Sequence, residues 1–382
     1  MMDLRLLKIA SKLFYNGVRY RYLKKTGKPG RPQALSIEIT HQCIAKCIMC
    51  NIWRIPEDEP ELSTGEWLRF LSDNFFSDVR ELDITGGEPF LVNDIDNLFS
   101  GVSRLKSRNL NKLQSAAVTT NGFLTERVLE KTEIIIREFK KSGIELVVVC
   151  AMDAAGDLHE KIRNVKDAWQ KVNSTINGLI KLRKKYSNLL IGIKTTVLPI
   201  NIDELEKISR YADERDLFTI ISPRIITSGR YLNKDMENDL VFSKEDRAKM
   251  IRFFRETRFK WSFHADSLVE FFETGVIKKP CSCGYNYYFT RSSGEVFLCP
   301  LINNSIGNIK DTPVKELFSS ERANVIRRRL GKYPECRECT EPGLERYSLP
   351  YEGFRYLGMI LKGSKEDFNE VHKHLGLEKY LT

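Results

Sequence analysis

The sequence predicts an α/β fold of repeated strand–helix units, followed by a small second module. Three observations carry this. Over the first two thirds of the chain, short β-branched runs alternate with longer stretches of helical periodicity. Five of the nine cysteines fall in a later region where that alternation stops. The 382 residues are 42% hydrophobic and 10% aromatic, enough apolar side chain to fill such a core and to exclude disorder as the main state.

Strands are expected at 34–40, 81–85, 115–119, 144–150, 190–197 and 217–222, and helices at 95–105, 125–140, 167–185, 202–215 and 243–256. This alternation calls for a parallel sheet with helices packed outside it. About six units suit either a doubly wound sheet or an incomplete (β/α) barrel. After about residue 272 the character changes. Residues 285–290 and 295–299 read as a hairpin turning at Ser292-Ser293-Gly294, and helix follows over 313–330. A module this small is expected to need a metal staple. The expected domains are therefore a segment 1–34, a catalytic body 35–272, a cysteine-rich α+β domain 273–345 and a helical tail 346–382 with a last helix over 364–382.

The net charge of +10, from 61 Lys and Arg against 51 Asp and Glu, invites a nucleic-acid or anionic-membrane partner. It is unevenly placed. Residues 1–34 hold nine basic side chains and one acid, leaving 52 basic against 50 acidic in the rest. The body is nearly neutral and has no recognisable nucleic-acid-binding module, which argues against nucleic acid as a partner. On a helical projection Arg5, Lys8, Lys12 and Arg19 share one face, with Leu6, Ala10, Leu13 and Phe14 broadly opposite. Such a basic amphipathic segment can contact an anionic membrane or an acidic partner, or lie across the outside of the barrel. The longest apolar run, 144–152, contains Glu145 and falls well short of the ~20 residues of a membrane span. With no signal-peptide pattern, the expected location is the cytoplasm, with peripheral membrane contact open. In a reducing compartment the cysteines are read first as metal ligands or catalytic thiols.

Cys43, Cys47 and Cys50 follow the first strand in a C-x3-C-x2-C arrangement. Structural zinc wants four protein ligands, whereas three thiolates on a four-iron cluster leave one iron free, so this spacing favours the cluster. Gly86-Gly87-Glu88-Pro89 follows the second strand. Its glycines permit close backbone approach, and the Glu88 carboxylate or neighbouring carbonyls can accept from an ammonium group.

Together these two loops resemble the radical S-adenosylmethionine (SAM) superfamily. The resemblance implies a partial (β/α)6 barrel and a [4Fe-4S] cluster whose open iron is chelated by SAM. Reductive cleavage of SAM then yields a 5′-deoxyadenosyl radical that abstracts a hydrogen atom from substrate. Asn121, in Thr120-Asn121-Gly122, is similar to the family's third-strand turn, and Met49 stands where the family has an adenine contact. Asp153, His159 and Arg163 resemble the segment after strand four, where the arginine meets the SAM carboxylate. Ala151 and Ala154 replace the usual Ser and Gly, so the ribose contact passes to Asp153 or to strand five.

Cys281, Cys299, Cys336 and Cys339 resemble the auxiliary-cluster domain, SPASM or its shortened twitch form, and imply one auxiliary [4Fe-4S] cluster, with Cys283 spare. The same four thiols also suit zinc. Cys150 reads as a buried structural thiol, His41 as a candidate for the site wall, and Tyr285, Tyr287, Tyr288, Arg291 and Arg224 as candidates to face a substrate. The function implied is a radical SAM oxidoreductase or bond-forming enzyme acting on a peptide, a sugar-like molecule or a lipid precursor, with ferredoxin or flavodoxin as electron donor. The alternatives are a non-catalytic iron–sulfur electron carrier and a zinc-stabilised RNA-binding protein.

Overall fold

Each of the six β-branched runs forms a strand: β1 (Ala34–Thr40), β2 (Glu81–Gly86), β3 (Ser115–Thr120), β4 (Glu145–Ala151), β5 (Leu189–Val197) and β6 (Phe218–Pro223). The computed structural model describes residues 4–256 and 263–362. Three further strands, β7 (Tyr287–Thr290), β8 (Glu295–Phe297) and β9 (Ser305–Asn308), complete one sheet in the order β6-β5-β4-β3-β2-β1-β7-β8-β9. β1 to β6 are parallel neighbours in sequence order with no switch point, which decides for a barrel over a doubly wound sheet. The barrel is open, with β6 and β9 as the sheet edges.

Side-chain alternation sorts the wall. In β1, Leu35, Ile37 and Ile39 pack into the main hydrophobic core, while Ser36, Glu38 and Thr40 lie on the opposite face and are also buried. A lumen lined by buried polar groups is where a polar ligand is expected. The register of β1 on β2 runs from Ala34 opposite Glu81 to Glu38 opposite Thr85, then shifts so that Thr40 meets Gly86. That irregularity falls where the cysteine and Gly-Gly loops leave the sheet.

The cysteine-rich region does not stand apart from the barrel. β7 pairs in parallel with β1, Ala34 opposite Tyr287 and Ile37 opposite Thr290, and β8 and β9 continue the sheet antiparallel. Helix 202–215 begins with a 3-10 turn, Pro199–Glu204, before the α-helix Leu205–Asp213. Helix 313–330 breaks at Ser320 into Val314–Ser319 and Glu321–Arg329, the Ser320 hydroxyl capping the second by accepting from the Ala323 amide at 3.1 Å. The expected helix at 364–382 lies outside the described residues.

Helix Leu4–Thr26 lies across the outside of the barrel against helices Pro342–Glu352 and Phe354–Lys362. Ile9, Leu13, Tyr20 and Leu23 form its buried face. Phe14, expected on the same apolar side as Leu13, instead lies 58% exposed in an outer stripe with Leu7, Tyr15, Val18 and Tyr22. The helix has two apolar faces, which a projection expecting one apolar and one basic face does not separate.

Candidate active site and cluster sites

Cys43, Cys47 and Cys50 converge on a cavity of about 150 Å³ at the ends of the barrel strands, shared with Met49, Gly86, Gly87, Asn121 and Arg163. Backbone hydrogen bonds hold the cysteine loop there. Gly87 N donates to Thr40 O and Glu88 N to Gln42 O, each at 2.8 Å, Ile48 N donates to Ile162 O at 3.0 Å, and Asn51 N donates to Tyr231 O at 2.9 Å. Asn233 Nδ2 adds a donor to the Met49 carbonyl at 2.8 Å.

The glycines serve this seam. A Cβ on Gly87 would fall 2.2 Å from Gln42 O, and one on Gly86, whose φ is +153°, would fall 2.3 Å from Thr40 O. Their first requirement is thus close approach to the cysteine strand, not only to a ligand.

Glu88 does not line the cavity. Its carboxylate is fully buried, accepting from the Asn121 amide at 2.7 Å, the Thr120 hydroxyl at 2.8 Å and the Phe90 amide at 3.1 Å. Burial raises its carboxyl to about 7, against the pull of those donors. Within the Gly-Gly-Glu-Pro loop, therefore, the backbone faces the cavity and Glu88 ties β2 to β3.

Asp153 is likewise buried and off the cavity. Its Oδ2 lies 2.7 Å from Arg163 Nη2, and its Oδ1 accepts from Thr196 N at 2.9 Å. His159, pushed down to about 3 by burial and so neutral, accepts the Asp153 amide on Nδ1 at 3.2 Å. Arg163 thereby reaches the thiols, with Nη1 3.7 Å from Cys47 Sγ. Of the two expected sources of a ribose contact, Asp153 does not line the cavity, whereas Thr195 and Thr196 of β5 do.

Burial raises all three thiols, Cys43 and Cys50 to about 12, with Arg163 opposing the effect at Cys47. Free thiols in such surroundings stay protonated, and it takes a bound cationic group to hold them as thiolates. Three sulfurs around one cavity, with a guanidinium beside them, fit a four-iron cluster with one iron open to SAM.

In the second cluster region five thiols gather. Cys336 and Cys339 each feel the charges of Cys281 and Cys299, and so does Cys283. The neighbouring Cys283 thiol pushes Cys281 down, while burial pushes Cys283 up. This donor set fits an iron–sulfur cluster with one thiol to spare. Tyr20 Oη donates to the Cys281 carbonyl, which ties the first helix to this module.

Other sequence candidates have structural partners. Tyr285, Tyr287 and Tyr288 are buried, Tyr287 stacks on Tyr347 at 5.1 Å, and Tyr288 Oη donates to the Gly30 and Gly284 carbonyls. His41 pairs its Nε2 with Pro56 O at 2.9 Å, and Arg291 lies 3.7 Å from Glu38. Cys150 is fully buried. Arg224 does line the cavity, together with residues that sequence patterns did not single out: Lys194, Arg230, Tyr231 and Glu341. The only sequence signals are a charged residue inside a β-run for Lys194 and one just after a cysteine pair for Glu341, while Arg230 and Tyr231, in the segment after β6, carry none.

Residues 37–212 match the Radical SAM superfamily and residues 281–340 match SPASM, an iron-sulfur cluster-binding domain. The chain belongs to the radical SAM superfamily and carries a SPASM domain. The SPASM match favours iron–sulfur over zinc in the second module, and the matches lend no support to the electron-carrier and RNA-binding alternatives. The cofactors of this radical SAM protein are thus SAM, its [4Fe-4S] cluster and an auxiliary [4Fe-4S] cluster. It is 22% identical over 292 residues to the sporulation killing factor maturation protein SkfB of Bacillus subtilis, covering 76% of this chain and 66% of that one. It is 24% identical to the AdoMet-dependent heme synthase of Methanosarcina barkeri, over 78% and 84% of the two chains. It is 23% identical to the PqqA peptide cyclase of Gluconobacter oxydans, over 90% and 91%. In fold it is similar to anSMEcpe with bound AdoMet, with a TM-score of 0.60 at 19% identity over 91% and 99% of the chains. None of the helices among the described residues of this radical SAM protein is long and apolar enough to cross a membrane.

Proposed function

We propose that this radical SAM enzyme abstracts a hydrogen atom from a peptide, in a net oxidation or bond formation assisted by one auxiliary cluster. The observation that carries it is the convergence of three thiols on a cavity whose wall also holds Lys194, Arg230, Tyr231 and Glu341. Held by Cys43, Cys47 and Cys50, a four-iron cluster would supply the one-electron reduction by which SAM is cleaved.

The chain's own residues bind and orient. Cys43, Cys47 and Cys50 hold the first cluster, and the Gly86-Gly87 backbone accepts the SAM ammonium. Arg163, fixed by Asp153, takes the SAM carboxylate, a pairing that suits a planar guanidinium. The Thr196 hydroxyl serves the ribose, and the Met49 backbone, fixed by Asn233, serves the adenine. Cys281, Cys299, Cys336 and Cys339 hold the auxiliary cluster. A low-potential ferredoxin or flavodoxin delivers the electrons.

The PqqA peptide cyclase among the relatives supports a peptide substrate, and the heme synthase makes a small molecule the alternative to test. Deuterated pools of peptides, sugars and lipid headgroups, incubated with the reduced enzyme and SAM, decide between them. Deuterium in 5′-deoxyadenosine is expected from the peptide pool, and label arising only from another pool would overturn the peptide reading.

A second reading concerns location. The outer stripe of helix Leu4–Thr26, Leu7, Phe14, Tyr15, Val18 and Tyr22, is 42–64% exposed and flanked by Lys8, Arg19 and Lys25. Aromatic residues beside cations suit the interface of an anionic bilayer, and we propose that this face rests there.

A further inference from the structure

The cavity wall carries four cations, Arg163, Lys194, Arg224 and Arg230, against one carboxylate, Glu341. Arg163 is matched by Asp153, and outside the cavity Arg291 lies beside Glu38 and Arg346 beside Glu81. Lys194 and Arg230 break that pattern. Neither forms an ion pair with a described residue, and the Lys194 ammonium has no hydrogen bond to one. Glu341 and Asp83 lend both cations negative charge without an ion pair to either, so a bound anion would add the direct contact that Asp153 gives Arg163.

Lys194 reaches the cavity from β5 and Arg230 from the segment after β6. Lys194 is two residues before Thr196 on β5 and so shares its lumen face. The charges that act most on it include those of Tyr231, Glu341, Arg230 and Asp83. Tyr231 and Glu341 hold its ammonium above the usual lysine range despite burial. Asp83 is itself engaged by the Ser36 hydroxyl at 2.9 Å. Arg230 is fixed in place, its Nη2 donating to Thr85 Oγ1 at 2.8 Å and its guanidinium 5.6 Å from the centres of both the Tyr231 and Phe289 rings.

We propose that Lys194 and Arg230 form a subsite for an anionic group of the substrate, a carboxylate or a phosphate ester. This rests on the reading that substrate occupies the cavity beside SAM. On a peptide the group is an acidic side chain or a C-terminal carboxylate. A point-charge ammonium and a planar guanidinium suit such an oxyanion from two directions.

The test is calorimetric titration of the reconstituted, SAM-bound protein under anaerobic conditions. The probes are N-acetylglutamate α-amide, glycerol 3-phosphate and the neutral N-acetylglutamine α-amide. One anionic probe is expected to bind about tenfold or more tighter than the neutral one, and which does so separates carboxylate from phosphate. Lys194→Met is expected to remove that preference, Lys194→Arg to keep most of it, and both to bind SAM within about threefold of wild type. The proposal is overturned if neither anion outbinds the neutral probe, if Lys194→Met leaves the preference intact, or if Lys194→Met loses SAM affinity in parallel. Binding of the probes does not depend on turnover, so a wild-type enzyme that fails to cleave SAM counts against the enzymatic reading and not against the subsite.

Discussion

Glu88 Oε2 accepts the Asn121 backbone amide at 2.7 Å, so the turn that ends β3 hangs on the loop that follows β2. With Gly87 N bonded to Thr40 O, the loops leaving the first three strands form one hydrogen-bonded unit under the cavity. The Gly-Gly-Glu-Pro sequence is required by this unit before any ligand is considered.

A pH-dependent stability follows. Because Glu88 is raised from 4.5 to about 7 in the fold, its contribution is complete below pH 4.5 and lost as pH rises through about 7. The size is roughly 3 kcal/mol. His159, lowered to about 3, has the opposite slope, its contribution complete above 6.5 and lost as pH falls. Urea unfolding of wild type and Glu88→Gln isolates the first term. The stability of wild type relative to Glu88→Gln is expected to fall by ~2–3 kcal/mol between pH 5 and pH 8. A difference independent of pH would contradict the burial of this carboxyl.

Gly87→Ala places a methyl group 2.2 Å from Gln42 O, and neither backbone can yield without parting the two loops. The first cluster is expected to be lost and the auxiliary one kept, lowering iron from about eight to about four per chain. Iron and sulfide analysis after reconstitution measures this, and an unchanged iron content would show that the seam is not required.

In the SPASM module, Cys281→Ala, Cys299→Ala, Cys336→Ala and Cys339→Ala are each expected to remove about four irons, and Cys283→Ala to remove none. Loss of the cluster in Cys283→Ala with retention in Cys281→Ala would exchange the two assignments.

The outer face of the first helix predicts binding to vesicles of mixed phosphatidylglycerol and phosphatidylcholine, weakened by salt, and little binding to phosphatidylcholine alone. Phe14→Ser/Val18→Ser/Tyr22→Ser should reduce sedimentation with the anionic vesicles about tenfold while leaving the cluster absorbance unchanged. Equal sedimentation of the variant and wild type would remove the membrane reading, and concentration-dependent dimerisation abolished by the same changes would assign the face to a second copy of the chain.

Much of the fold was legible because β-branched runs and helical periodicity are local signals, and β1 matches its expected bounds while β2 to β6 fall within a residue of theirs. The convergence of Cys43, Cys47 and Cys50 on one cavity was legible because the three lie at short spacing in one loop. What the sequence obscured depends on contacts distant along the chain. Glu88 looks like a ligand until Thr120 and Asn121 are seen to consume its acceptors. Phe14 looks buried until the helix proves to pack through Ile9, Leu13 and Tyr20. Lys194 and Glu341, nearly 150 residues apart, share a cavity wall only because the SPASM segment folds back over the barrel.

The most direct test of the central claim is the reaction of anaerobically reconstituted, dithionite-reduced protein with SAM, followed by chromatography for 5′-deoxyadenosine. The arrangement of Cys43, Cys47, Cys50 and Arg163 around one cavity predicts its formation, and its loss in Cys47→Ala. No 5′-deoxyadenosine from wild type carrying an intact first cluster would contradict the account.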